Sequence, residues 1–218
     1  MNARVLLVDD HQIVVEGLRR LLEAEPGIEV IGEANDGRTA VVLCCDMRPD
    51  VAVMDVSMRD LNGIDATRRI LEEAPGTSVI ILSGSTQCHT VRACLQVGAR
   101  AYLSKESAFT ELVSAIRAVC EGRAYLSSDI TSCLLEDFSH GNRDADGGGP
   151  VASAITPRER EVLQLLVEGH SMKQIAGVLS LSVKTVEFHR RQTMQKLELD
   201  SLAALIRYAI DQGITPSE

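Results

Sequence analysis

The sequence has no tryptophan and only three phenylalanines and three tyrosines in 218 residues. That scarcity predicts a core of aliphatic side chains and argues against an aromatic-lined ligand pocket. No apolar run approaches the roughly 20 residues that span a bilayer, and Met1-Asn2-Ala3-Arg4 leads straight into a strand-like run. A membrane-spanning or secreted protein is therefore not expected, and the chain reads as cytoplasmic. The six cysteines, Cys44, Cys45, Cys88, Cys94, Cys120 and Cys133, form no C-x-x-C pair and lie in apolar contexts. Buried, reduced thiols are expected in preference to a metal or redox centre. Basic excess is also lacking, since the net charge is −9. Apolar residues at 45% and charged residues at 24% match a soluble globular chain and exclude wholesale disorder.

The acidic balance is uneven along the chain. Residues 1–130 carry 13 basic and 19 acidic residues, 131–150 carry 1 and 4, and 151–218 carry 8 and 8. Ser139-His140-Gly141-Asn142-Arg143-Asp144-Ala145-Asp146-Gly147-Gly148-Gly149-Pro150 is polar, Gly-rich and aperiodic, the composition of a flexible linker, and sets a domain boundary. Before it, short β-branched runs at Arg4–Val8, Glu29–Glu33, Val51–Met54, Val79–Leu82 and Ala101–Leu103 alternate with helical patterns such as Leu112, Val113, Ile116 and Val119. Strands alternating with helices predict an α/β domain with a doubly wound, five-stranded parallel sheet, because parallel neighbours need crossover helices. Its working site is expected at the carboxyl ends of the strands.

Asp9 and Asp10 follow the first of these strands, Asp55 the third, Ser83 the fourth and Lys105 the fifth. All five converge on one sheet edge. Singly, an aspartate there is often a helix cap and a lysine a solvated loop residue. Together, three carboxylates repel one another and call for a lysine or a hard cation. Mg²⁺ suits two carboxylates, a backbone carbonyl and a phosphoryl oxygen. A carboxylate so placed can attack phosphorus, giving an acyl phosphate whose charge Lys105 balances.

Val5-Leu6-Leu7-Val8-Asp9-Asp10-His11, Val53-Met54-Asp55-Val56-Ser57-Met58, Asn62-Gly63, Ile81-Leu82-Ser83 and Ala101-Tyr102-Leu103-Ser104-Lys105 together resemble the flavodoxin-like receiver domain of bacterial response regulators, over nearly all of residues 1–122. The resemblance implies that Asp55 is the phosphoacceptor and that Asp10, Asp55 and the Ser57 carbonyl bind Mg²⁺, with Asp9 assisting through water. It implies that Lys105 contacts the phosphoryl group and that Ser83 and Tyr102 form a switch pair. Arg59 and Glu106 stand where many receivers have proline.

Past the linker only helical patterns remain. Thr156-Pro157-Arg158-Glu159 is a capping box with Pro at the first helical position. Ser171 and Ser182 are placed to cap Met172–Leu179 and Val183–Leu197, and a last helix runs from Ser201 to about Gln212. Four helices in residues 151–218 predict a small all-α unit, with 123–150 as connecting helix and linker. Ile175, Leu179, Leu181 and Val186 are its expected shared core, and small Ala176 allows close helix approach. Lys184, Arg190, Arg191 and Lys196 against Glu187 make the third helix locally basic, which suits either a solvated face or a helix entering the major groove.

Ile155-Thr156-Pro157-Arg158-Glu159-Arg160-Glu161-Val162-Leu163, Ile175-Ala176 and Val183-Lys184-Thr185-Val186-Glu187-Phe188-His189 resemble a LuxR-type helix-turn-helix. With the receiver-like part in front, the chain is similar to the NarL/FixJ response regulators. The resemblance implies that Glu187, Phe188 and Arg191 face bases, that Lys184, Thr185, Arg190 and Lys173 hold phosphates, and that Leu202, Leu205 and Ile206 pair two copies. It implies a sensor histidine kinase and an operator DNA as partners, and a homodimer formed on phosphorylation or DNA binding. It further implies a non-enzymatic regulator whose receiver catalyses only its own phosphotransfer and slow dephosphorylation. A Mg²⁺-dependent phosphohydrolase shares the aspartyl chemistry but commonly places a second acid two residues after the nucleophile, where Ser57 stands. A ligand-sensing LuxR-type receptor is the other alternative, and it needs the aromatic pocket that this chain has little material to build.

Overall fold

The computed structural model describes residues 2–140, 155–197, 199, 201–211 and 214, which fall into two compact units, 1–140 and 141–218. In the first unit the strands are β1 (Ala3–Val8), β2 (Ile28–Ala34), β3 (Val51–Asp55), β4 (Ser78–Ser83), β5 (Ala101–Ser104) and β6 (Tyr125–Leu126). The helices are α1 (Gln12–Glu23), α2 (Gly37–Met47), α3 (Gly63–Glu73), α4 (Cys88–Gln96), α5 (Ala108–Cys120) and α6 (Ser128–His140). The sheet is wholly parallel in the order β2-β1-β3-β4-β5-β6. The expected five strands are present, and β6 is a sixth. It adds only two residues, pairing Tyr125 with Ala101 and Leu126 with Tyr102.

Alternate side chains divide between two apolar layers, as period-two strands buried on both faces require. Leu6, Val8, Met54, Ile81 and Tyr102 pack on one side with α2, α3, α4 and Ile130 of α6. Val5, Leu7, Val53, Ile80 and Leu103 pack on the other with α1 and α5. The strand order reverses direction between β1 and β3, and the crevice at their carboxyl ends is where such sheets place their ligands.

The expectation of reduced, buried cysteines holds for Cys44 and Cys94, which are buried free thiols. It fails for Cys88 and Cys133, which form a disulfide between α4 and α6. Cys120 is exposed. A pair 45 residues apart is brought together only by the packing of α6 near β5 and α4, which no local pattern encodes.

The second unit contains α7 (Pro157–Val167), α8 (Met172–Val178), α9 (Val183–Lys196) and α10 (Leu202–Asp211). The capping box of Thr156 and Glu159 starts α7. Ser171 starts α8 through a second box with Gln174, and Ser182 starts α9 by accepting from the Thr185 amide. Val162, Leu165, Ile175, Ala176, Leu179 and Val186 form one core cluster, with Leu181 at its margin. Ser180 takes a left-handed conformation (φ 53°) in the turn between α8 and α9. The expected linker residues 141–150 lie outside the described residues.

Candidate functional site

At the carboxyl edge of the sheet the side chains arrive from separate strands. Asp55 ends β3, Ser83 ends β4, Asp9 and Asp10 follow β1, and Lys105 follows β5 with its amide bound to the Ser83 carbonyl at 2.8 Å. Lys105 Nζ stands 2.7 Å from Asp9 Oδ2 and 3.0 Å from Asp55 Oδ2. Carboxylate oxygens of Asp9, Asp10 and Asp55 and a ring nitrogen of His11 all lie within 4.8 Å of one another. Asp9 and Asp55 are buried.

Burial pushes the Asp55 carboxyl up, the Lys105 ammonium pulls it back, and Asp9 adds repulsion; the result stands above the ordinary aspartate value. For Lys105, burial works to lower the pKa and the Asp55 and Asp9 carboxylates outweigh it, leaving the ammonium more firmly protonated. Even so, the negative charge is not fully partnered. Asp55 Oδ1 is buried with no hydrogen-bond donor among the described residues, while Asp9 Oδ2 meets only Lys105 Nζ and Asp10 Oδ1 only the His11 ring. Orphaned carboxylate oxygens converging at one point fit a hard divalent cation.

Two backbone features keep the crevice tight. The Ser57 backbone, two residues past Asp55, favours the ionised form of its carboxyl. At Gly63, the first residue of α3, a Cβ would collide with the Asp55 carbonyl oxygen, so only glycine lets α3 start this close to the end of β3. Nearby, the buried Tyr102 hydroxyl donates to the Ser85 carbonyl at 2.7 Å, and the Ser85 amide donates to Ser83 Oγ at 3.1 Å. Burial pushes the Tyr102 phenol up, so it stays a donor. Ser83 and Tyr102 are thus linked through the loop after β4. The His11 ring, 3.0 Å from Asp9 Oδ1 and 2.9 Å from Asp10 Oδ1, was not singled out by the sequence reading. Its position directly after the aspartate pair was the available signal.

In the second unit, Lys184, Glu187, Phe188 and Arg191 are exposed along α9 at the spacing of one helical face. The opposite face buries Val186 and Thr193. Phe188 is 57% exposed, costly for an aromatic ring whose partner among the described residues is the edge of His189 at 5.9 Å. Lys173 is exposed, Arg190 half-buried, and Thr185 half-buried against the Ser182 hydroxyl at 2.8 Å. Leu202, Leu205 and Ile206 do not act together. Leu205 is fully buried in the unit's own core with Leu163 and Ala209, while Leu202 is 47% exposed and Ile206 half-buried. Helical spacing marks an apolar stripe without saying which partner covers it, so Leu205 leaves the pairing set.

The chain matches the response regulator receiver domain over residues 5–117 and the luxR family of bacterial regulatory proteins over residues 153–209. It belongs to the response regulators that join a receiver to a LuxR-type helix-turn-helix. Transcriptional regulatory protein MctR of Rhizobium johnstonii is 38% identical over 97% of this chain and 94% of its own length. Response regulator UvrY of Escherichia coli is 36% identical over 98% of this chain and 96% of its own. Among solved structures, Salmonella enterica serovar Typhimurium RcsB, bound to a promoter with the phosphomimetic BeF3−, is 29% identical with a TM-score of 0.64, covering 95% of this chain and 98% of that one. This response regulator is a regulator by family rather than an enzyme. Among the described residues no helix is long and apolar enough to cross a membrane.

Proposed function

We propose that this response regulator acts in the cytoplasm as a phosphorylation-controlled transcription factor. Residues 1–122 receive the signal, 123–150 connect, and 151–218 bind operator DNA. A sensor histidine kinase presents a phosphohistidine. One Asp55 carboxylate oxygen attacks the phosphorus, the P–N bond breaks, the imidazole leaves, and an acyl phosphate remains. The observation that carries this reading is the meeting of Asp9, Asp10, Asp55 and Lys105 at one sheet edge with Asp55 Oδ1 left unpartnered.

Asp10, Asp55 and the Ser57 carbonyl would hold Mg²⁺, and Asp9 would reach it through water. The cation supplies positive charge against the phosphoryl oxygens as they approach the carboxylates. Lys105 steadies the same charge from the other side. Ser83 donates its hydroxyl to the new phosphoryl group, which draws on the loop that Tyr102 holds through Ser85. Slow hydrolysis of the acyl phosphate resets the site, and no second acid at Ser57 promotes turnover of phosphate esters.

On DNA, Glu187, Phe188 and Arg191 read base edges in the major groove, while Lys173, Lys184, Thr185 and Arg190 hold phosphates. Two copies pair through Leu202 and Ile206 and occupy two half-sites, which offsets the modest charge of one unit. RcsB, similar over nearly the whole chain, is bound to a promoter in the presence of a phosphomimetic. The decisive experiment is intact-protein mass after incubation with Mg²⁺ and a small acyl phosphate, beside Asp55→Asn. One phosphoryl adduct, absent from the variant, is the expected result. An adduct that persists in Asp55→Asn, or none in either protein, overturns the assignment.

A further inference from the structure

Cys88 is the first residue of α4 and Cys133 lies in α6; the two form a disulfide across a Cα–Cα distance of 5.9 Å. That separation is one a disulfide spans without backbone movement. Both residues are half-buried rather than enclosed, so small thiols and disulfides reach them. The remaining cysteines differ. Burial pushes the thiols of Cys44 and Cys94 up to about 12, which keeps them protonated and inert. Cys45 and Cys120 are free and not joined to another cysteine.

What the bond connects gives it meaning. Cys88 lies three residues beyond Ser85, whose carbonyl accepts from Tyr102 and whose amide donates to Ser83. At the other end, α6 is already rooted on β5. The Ser127 amide donates to the Tyr102 carbonyl at 3.2 Å, and Ile130 is fully buried in the core layer that contains Tyr102. Leu134 packs against the same layer, so α6 is fixed by packing as far as Leu134, and Leu135 beyond it is 61% exposed. The disulfide ties α6, just before that exposed residue, to the loop that reports on Asp55.

We propose that Cys88 and Cys133 are a reversible thiol–disulfide switch. Oxidised, it clamps α6 to the head of α4 just before the exposed Leu135; reduced, it lets residues 135–140 move independently of the loop after β4. The coupling of that clamp to phosphorylation rests on the receiver reading of Asp55. The oxidant is a low-molecular-weight disulfide. The thiolate of Cys88 attacks one sulfur of that disulfide and displaces a small thiolate. Cys133, as thiolate, then attacks Cys88 Sγ in the mixed disulfide and displaces the second. Two protein thiols lose two protons and two electrons, and the small disulfide is reduced to two thiols. Intracellular disulfides are commonly transient or sensing, so the reduced form is the resting state of a cytoplasmic regulator.

The test equilibrates the full chain in thiol–disulfide buffers of graded ratio, traps free cysteines by alkylation, and maps the peptides. Amide exchange of residues 135–140 is followed in parallel. The expected result is a Cys88–Cys133-linked peptide that appears and disappears reversibly, with amide exchange at least about 10-fold faster in the reduced protein and in Cys133→Ser. Cys88→Ser reports the same loss of clamping should the first variant fold poorly. Full alkylation of both cysteines at every ratio, or identical exchange in linked and reduced protein, overturns the proposal. Neither readout needs a phosphoryl group. The Asp55 adduct is measured separately on Cys133→Ser, so failure of the receiver reading is distinguishable from failure of the switch.

Discussion

Lys105 Nζ bridges two carboxylates that arrive from different strands, standing 3.0 Å from Asp55 Oδ2 and 2.7 Å from Asp9 Oδ2. Replacing it with methionine keeps the stem and removes the ammonium that bridges the pair. Two buried carboxylates are then left to repel each other, which costs about 1–3 kcal/mol at neutral pH. The same change removes charge balance from the phosphoryl group. Chemical denaturation of Lys105→Met should show that loss, and its phosphoryl adduct should form about 10-fold or more slowly than in the unaltered chain. Unchanged adduct kinetics would remove Lys105 from the transfer step and leave it a structural bridge.

Asp55→Asn should be more stable than the unaltered protein when no divalent cation is present. The sign follows from the raised carboxyl pKa, caused first by burial and then by Asp9, against the pull of Lys105. A carboxyl whose folded pKa exceeds its unfolded value disfavours the fold once ionised. That penalty is absent below the ordinary value of 3.8, grows as the pH rises through the window up to the folded value, and is complete above it. The gain in Tm of Asp55→Asn should thus be present at neutral pH and close in acid. Added Mg²⁺ should narrow it at neutral pH by stabilising the aspartate form alone. A variant less stable at neutral pH without metal would contradict the electrostatic account.

Much of this was legible in the residues because it depends on local period and chain order. Short β-branched runs marked five strands to within about a residue of their ends. Once those strands are parallel, Asp9, Asp10, Asp55, Ser83 and Lys105 must share an edge. The capping boxes at Thr156 and Ser171 likewise announce α7 and α8. What was not legible depends on long-range contact. A two-residue β6 has no period, the Cys88–Cys133 pair is separated by 45 residues, and the burial of Leu205 against Leu163 is decided by which helix covers the stripe. The His11 ring needed coordinates to be seen between two carboxylates.

Lys184 and Arg191 share the exposed face of α9, yet they should fail differently when removed. Lys184→Ala should weaken binding to all duplexes alike and reduce the slope of log affinity against log salt by about 0.9, the share of one phosphate contact. Arg191→Ala should cost about 1–3 kcal/mol on the preferred operator and relax selectivity at one position. Fluorescence anisotropy across a salt series, on an operator found by selection from random duplexes, separates the two. Equal losses on specific and unrelated DNA for both variants would place Arg191 on the backbone as well.

Glu159 joins the start of α7 to the end of α9. Its carboxylate accepts from the Thr156 amide at 2.7 Å and meets Lys196 Nζ at 2.7 Å, while Thr156 Oγ1 accepts from the Glu159 amide. Burial works against the ionised form, and Lys196 together with Thr156 outweighs it, so the carboxyl is held below the ordinary glutamate value. Glu159→Gln keeps an acceptor for the cap but loses the charge. With Lys196 about a third exposed, solvent screening limits the loss to about 1 kcal/mol. A lowered folded pKa gives stability that is present above the unfolded value, 4.5, and is lost as the pH falls through the folded one. Amide exchange at Val162 and Leu165 in the full chain should therefore be faster in Glu159→Gln at neutral pH and should converge with the unaltered protein in acid. A difference that persists undiminished in acid would assign the effect to the cap geometry and not to the charge.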